Sequence, residues 1–197
     1  MAAPSPNPLT GSQGDALVSM AVDAIRAQLI GEASEESLPE SPPLRSPGAS
    51  FVTLERRGAL RGCVGSLRAA RPLYLDVMRN ACKAMSDPRL PPVNREDWPE
   101  LDIKVSVLTS PTAMSADGRR QLTEELRPGL DGLVLTDGAR RATFLPAVWQ
   151  RLADPAEFIT ALLAKGGWPA AGWPENLRAH RYAAYEFHGP SPREPLT

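Results

Sequence analysis

Histidine is nearly absent from this 197-residue chain: only His180 and His188 occur, both within the last 20 residues. A Ser-His-Asp or Cys-His hydrolase needs an imidazole base beside its nucleophile, and no nucleophile candidate has one nearby in sequence. Cysteine is equally scarce. Cys63 and Cys82 are the only two, they form no CxxC pair, and two cysteines cannot build a secreted disulfide scaffold. No four ligands stand at structural-zinc spacing, so no metal is expected. Charge of either sign is not in excess, with 22 basic against 23 acidic residues. A broad phosphate-neutralising face, and with it nucleic-acid binding, is not expected. GxGxxG and GxxxxGK[ST] are both missing, which leaves no nucleotide loop and no cofactor fingerprint. No apolar run approaches the roughly 20 residues of a membrane span. The first 14 residues lack the basic and apolar regions of a signal peptide. The expectation is a cytoplasmic protein without membrane attachment.

Proline is what the chain has in plenty. Its 21 prolines are roughly twice the average share and cluster in loops. Residues 1–14 read as a disordered tail, 15–190 as a domain in one piece or two lobes, and 191–197 as a second tail. Asp15 is a candidate cap for a helix to Ile30, where Leu17, Met20, Ala21, Ala24, Ile25 and Leu29 make an apolar stripe. Gly31 suits its C-terminus. Glu32 to Ser50 reads as a long surface loop too polar to pack. Residues 51–55 and 59–65 read as a hairpin across Arg57-Gly58, followed by a helix over 72–86.

Leu101 to Thr109 alternates, with Leu101, Ile103, Val105 and Val107 on one face. Asp137-Gly138 joins strands 130–136 and 140–145 as a second hairpin. Short helices follow at 146–152 and 154–165, then a closing strand at 182–187. Hairpins rather than strand-helix-strand crossovers favour an α+β fold with one mostly antiparallel sheet. The hairpin-then-helix unit occurs twice, near 51–86 and near 130–165, which hints at an internal repeat.

Leu60-Arg-Gly-Cys-Val-Gly65 is the most unusual segment. Regular alternation puts Leu60 and Val64 on one face and Arg61 and Cys63 on the other. An arginine beside a thiol favours the thiolate, which makes Cys63 a candidate catalytic residue. Gly62 and Gly65 leave room for a ligand or for a neighbouring backbone. The plainer reading is a quietly packed cysteine in a bent strand. Asp87-Pro-Arg89 reads as a local ion pair holding a loop. Arg140, Arg141 and Thr143 enter a strand, where Arg141 and Thr143 share a face suited to a carboxylate or phosphate. Lys104 is a further candidate near the thiol. Trp149, Trp168 and Trp173 read as packing residues.

In order along the chain, Phe51-Val-Thr-Leu54, Leu60-Arg-Gly-Cys-Val-Gly-Ser66, Asp87-Pro-Arg-Leu-Pro-Pro92, Ile103-Lys-Val-Ser-Val-Leu108, Gly129-Leu-Asp-Gly-Leu-Val-Leu135 and Arg140-Arg-Ala-Thr-Phe-Leu-Pro-Ala-Val-Trp149 resemble the AMMECR family. The similarity runs from about Asp15 to Phe187. It implies an α+β fold of two similar halves around a curved, barrel-like sheet, with a groove near the Arg-Gly-Cys strand. It also implies a place as component A of the AmmeMemoRadiSam set, whose other members are a Memo-like protein and a radical S-adenosylmethionine enzyme. Lys104 stands where relatives often carry an acid, and Leu90 where an aromatic is common.

The expected function is that of a ligand- or partner-binding accessory component of a modification system. It would act through a cleft beside Arg61-Gly62-Cys63-Val64-Gly65, with Asp87, Arg89, Lys104, Arg140, Arg141 and Thr143 as further binding residues. The alternative is an enzyme using Cys63 as a reactive thiol. A small-ligand carrier is the third reading.

Overall fold

The computed structural model describes residues 9–34, 37–115, 117–169 and 172–196. They divide into two units. The first runs up to Leu108 and takes in the C-terminal residues from Tyr185; the second is Thr109–Ala184.

In the first unit, α1 (Gly11–Ile30) begins earlier than the sequence implies. Thr10, not Asp15, is its N-cap: the Thr10 hydroxyl accepts the Gln13 N–H, and the Gln13 side chain accepts the Thr10 N–H. Residues 9–14 are therefore not part of a loose tail, and Leu9 is buried; residues 1–8 lie outside the described part. Gly31 closes the helix in the left-handed conformation, as expected. The stretch 32–50 is not all loop either. It holds a one-turn helix α2 (Pro42–Arg45), whose Leu44 is 1% exposed, and the start of β1 (Pro47–Arg56). Leu44 docks on the core in an otherwise polar segment.

β1 turns back through Arg57 and Gly58, both at positive φ, into β2 (Ala59–Gly65). The two-residue β3 (Arg71–Pro72) leads into α3 (Leu73–Ala84), and β4 (Leu101–Leu108) follows a 3-10 turn at Trp98–Glu100. With β9 (Ala184–Gly189), these strands form a sheet in the order β2-β1-β4-β9, β3 pairing on β1. Val52, Leu54, Leu101, Ile103, Val105 and Val107 turn one face onto α1 and α3 and are almost wholly buried. The residues after β9 are not a free tail. Ser191 N–H reaches Asp102, Arg193 N–H reaches the Pro99 carbonyl, and Trp98 Nε1 donates to the Glu194 carbonyl at 3.0 Å.

The second unit holds β5 (Thr112–Met114), α4 (Arg119–Glu125), β6 (Gly132–Thr136), β7 (Arg141–Phe144), α5 (Pro155–Lys165) and β8 (Arg178–Tyr182). Its own sheet runs β5-β8-β6-β7. Every strand pair with a described register is antiparallel. Asp154 caps α5. Trp149 stacks on Phe158 at 3.9 Å, and Trp168 is buried with its Nε1 on Asp137, so both are packing residues as read.

The α+β class holds, but the single shared sheet does not. The expected strands are divided between two sheets, and the described strands close no barrel. The expected closing strand 182–187 is also two: β8 ends at Tyr182 in one sheet and β9 starts at Ala184 in the other. Ala183 alone separates them and marks the change of sheet.

Candidate functional site

A two-residue turn at Arg57-Gly58 pairs Arg56 with Ala59 and Glu55 with Leu60. Unbroken, that register would set Cys63 opposite Val52, on the face that packs against the helices. A bulge intervenes: Glu55 pairs with Leu60 but Leu54 pairs with Gly62, leaving Arg61 without a partner of its own. One inserted residue exchanges the faces of everything after it. Cys63 comes opposite Thr53, on the face turned away from α1 and α3, and Leu60 and Val64 no longer share a face. The Cys63 thiol is half-buried and takes the Thr53 hydroxyl at 3.3 Å.

The bulge also overturns the expected pairing of Arg61 with the thiol. The Arg61 guanidinium instead runs to Asp97 Oδ2 at 2.8 Å and toward the Pro92 carbonyl. Asp97, 2% exposed, also accepts Arg56 and the Asn94 N–H. Burial pushes the Asp97 carboxyl upward, but the hydrogen bonds from Arg61, Asn94 and Arg56 outweigh it and the net displacement is downward. Arg61 Nε is buried with no hydrogen-bond partner among the described residues.

Asp87 and Arg89 form the ion pair read from the sequence, and it grips Cys63 from the strand edge. Cys63 N–H donates to Asp87 at 3.0 Å, and Arg89 Nη2 donates to the Cys63 carbonyl at 3.1 Å and to Asp87 at 2.6 Å. The Arg89 guanidinium above all holds the buried Asp87 carboxyl well below the usual carboxylate range; burial opposes, and the Cys63 and Arg89 amides assist. β2 is an edge strand, and this pair satisfies backbone groups that would otherwise stand free.

The glycines are filled by the protein itself. A Cβ on Gly62 would lie 1.9 Å from the Ala84 carbonyl oxygen at the end of α3, and one on Gly65 would enter the Phe51 ring. Lys104 pairs with Glu55 at 2.7 Å on the Thr53 face, as the register Thr53↔Lys104 requires. Arg140, Arg141 and Thr143 belong to the second unit. There Arg140 donates to the Gly167 carbonyl, Arg141 is exposed, and the Thr143 hydroxyl is shared between the Leu133 carbonyl and Tyr182. Thr53 and Asp97 were missed by sequence reasoning. Both lie beyond the reach of spacing, since the bulge decides which residue faces Cys63 and which carboxylate meets Arg61.

No group of three histidine, cysteine, aspartate or glutamate side chains among the described residues is placed to hold a metal. No described helix is long and apolar enough to cross a membrane.

Comparison with known proteins gives a consistent result. The sequence model of the AMMECR1 family matches residues 18–187. A protein of Methanothermobacter thermautotrophicus is 34% identical over 186 residues, 92% of this chain and 96% of its own. Protein PH0010 of Pyrococcus horikoshii is 32% identical over 196 residues, 93% of each chain. The crystal structure of that uncharacterized protein superposes with a TM-score of 0.86 over 95% of this chain and 99% of its own.

Proposed function

The chain belongs to the AMMECR1 family, and we propose that it is a ligand- or partner-binding accessory component of a modification system, working through the Cys63 face of β2. The observation that carries this reading is how the polar side chains around the thiol are spent. Arg61 is bound to Asp97, and Arg89 to Asp87 and the Cys63 carbonyl. The hydrogen bond to Cys63 Sγ comes from the Thr53 hydroxyl, which is not a general base. The strand is held rigid and its charges are neutralised pairwise, as suits a preformed binding surface. By the family resemblance, the partners are a Memo-like protein and a radical S-adenosylmethionine enzyme, and the chain is cytoplasmic.

Calorimetric titration of the purified chain with each of those two proteins from the same organism tests the reading. Wild type and Cys63→Ser should bind alike, while Thr53→Arg, which sets a bulky charge beside the thiol, should weaken binding by about tenfold or more. Failure of both proteins to bind removes the reading. A second reading, Cys63 as a reactive thiol, is favoured by the Arg89 guanidinium held at the Cys63 carbonyl. It predicts that Cys63→Ser abolishes the system's product while leaving binding intact.

A further inference from the structure

The second unit carries a cavity of about 660 Å³ of its own, walled by β5, β8 and the segments that flank them. Its size falls in the range of small-molecule sites. Asp117 follows β5, Trp173 and Glu175 precede β8, and Arg178 and His180 stand two apart on β8, on one face of the strand. Met114 and the half-buried Trp173 indole give the wall an apolar patch.

Several arginines of the chain are neutralised within the protein. Arg56, Arg61, Arg89 and Arg127 are each paired with a carboxylate. The side chains of Asp117, Glu175, Arg178 and His180 make no hydrogen bond or ion pair with any described residue, and all four line one cavity. Opposite charges that converge on a concavity without neutralising one another are complementary to a ligand that carries both signs. Arg178 offers a planar fork for a carboxylate. Asp117 and Glu175 offer two charges to ammonium groups and repel a phosphate dianion. The indole adds a face for an alkyl chain or a cation. These three charged residues sum to one net negative charge, so the complement is a zwitterion with one extra positive charge.

We infer that this cavity is a binding site for a small cationic α-amino acid, its carboxylate on Arg178 and its ammonium groups on Asp117 and Glu175. The test is calorimetric titration of the full chain, at low ionic strength and neutral pH, with L-lysine, with cadaverine (lysine without its carboxylate) and with hexanoate (lysine without its amines). Lysine should bind with a Kd of about 1 mM or tighter, and each fragment about tenfold more weakly. Arg178→Gln should remove the advantage of lysine over cadaverine, and the Asp117→Asn, Glu175→Gln pair should remove its advantage over hexanoate. These side chains lie at the surface, and thermal melts of the variants will show that the fold is kept. No heat from lysine at about 10 mM, or lysine binding unchanged in both variants, overturns the inference.

Discussion

The Asp87 carboxylate receives the backbone N–H of Cys63 at 3.0 Å, while its ion-pair partner Arg89 closes the same residue's carbonyl. A sheet edge that would otherwise offer a free donor and acceptor is thereby sealed by a loop 24 residues further on in the chain. Asp87→Ala leaves the Cys63 amide unsatisfied and should cost roughly 1–3 kcal/mol of stability. Arg89→Ala should cost less, because its side chain is 67% exposed and solvent replaces much of the pair. Urea denaturation of the two variants against wild type checks the order.

Two buried carboxylates set an acid limit. Asp87 and Asp97 are both displaced below the ordinary aspartate value of 3.8. A depressed folded pKa means that the unfolded chain takes up the proton first as the pH falls. The stabilisation is therefore complete only above about pH 5 and is lost progressively below it. Urea midpoints at pH 7, 4 and 3 should fall across the acid interval in wild type, and fall less steeply in Asp87→Asn.

Gly62 and Gly65 differ in what they face, and their alanine variants should differ accordingly. At Gly62 the obstacle is the backbone carbonyl of Ala84, which cannot move without unseating α3. At Gly65 it is the Phe51 ring, which is able to rotate away. Gly62→Ala should cost roughly 1–3 kcal/mol or more, and Gly65→Ala distinctly less. Thermal melts of the two variants decide between this order and its reverse.

The longer helices and most strands were legible because their signals are local, whereas β5 and α4 were not read from the sequence. The alternation of Leu101, Ile103, Val105 and Val107 is a period that burial enforces, and each of the four is buried. The Asp87–Arg89 pair was legible for the same reason. What was not legible depends on single residues acting at a distance. The bulge at Arg61 is one extra residue with no compositional mark, yet it moves Cys63 to the other face and sends Arg61 to Asp97. Leu44 is buried within a stretch whose composition is that of a loop, and the change of sheet at Ala183 falls inside a continuous apolar run from Tyr182 to Tyr185.

The C-terminal segment gives another check, since its sequence reads as a tail and its contacts do not. Removing residues 191–197 takes away the hydrogen bonds on Asp102, Pro99 and Trp98 and uncovers the Trp98 ring, over which Arg193 lies at 5.4 Å. The melting temperature should fall by roughly 4 °C or more. An unchanged melt would show that these contacts carry no stability.

The most direct test of the binding role is a footprint on the two cysteines. Cys63 is half-buried beside Thr53, whereas Cys82 sits on α3 with its Sγ 3.8 Å from the Ala24 carbonyl, and burial pushes its thiol pKa up. Alkylation rates of each, followed by mass spectrometry, should first show Cys63 labelled faster than Cys82. Saturating Memo-like protein or radical S-adenosylmethionine enzyme should then slow labelling of Cys63 by about tenfold and leave Cys82 unchanged. A complex that forms while Cys63 labels at its free rate would contradict the assignment of this face as the binding surface.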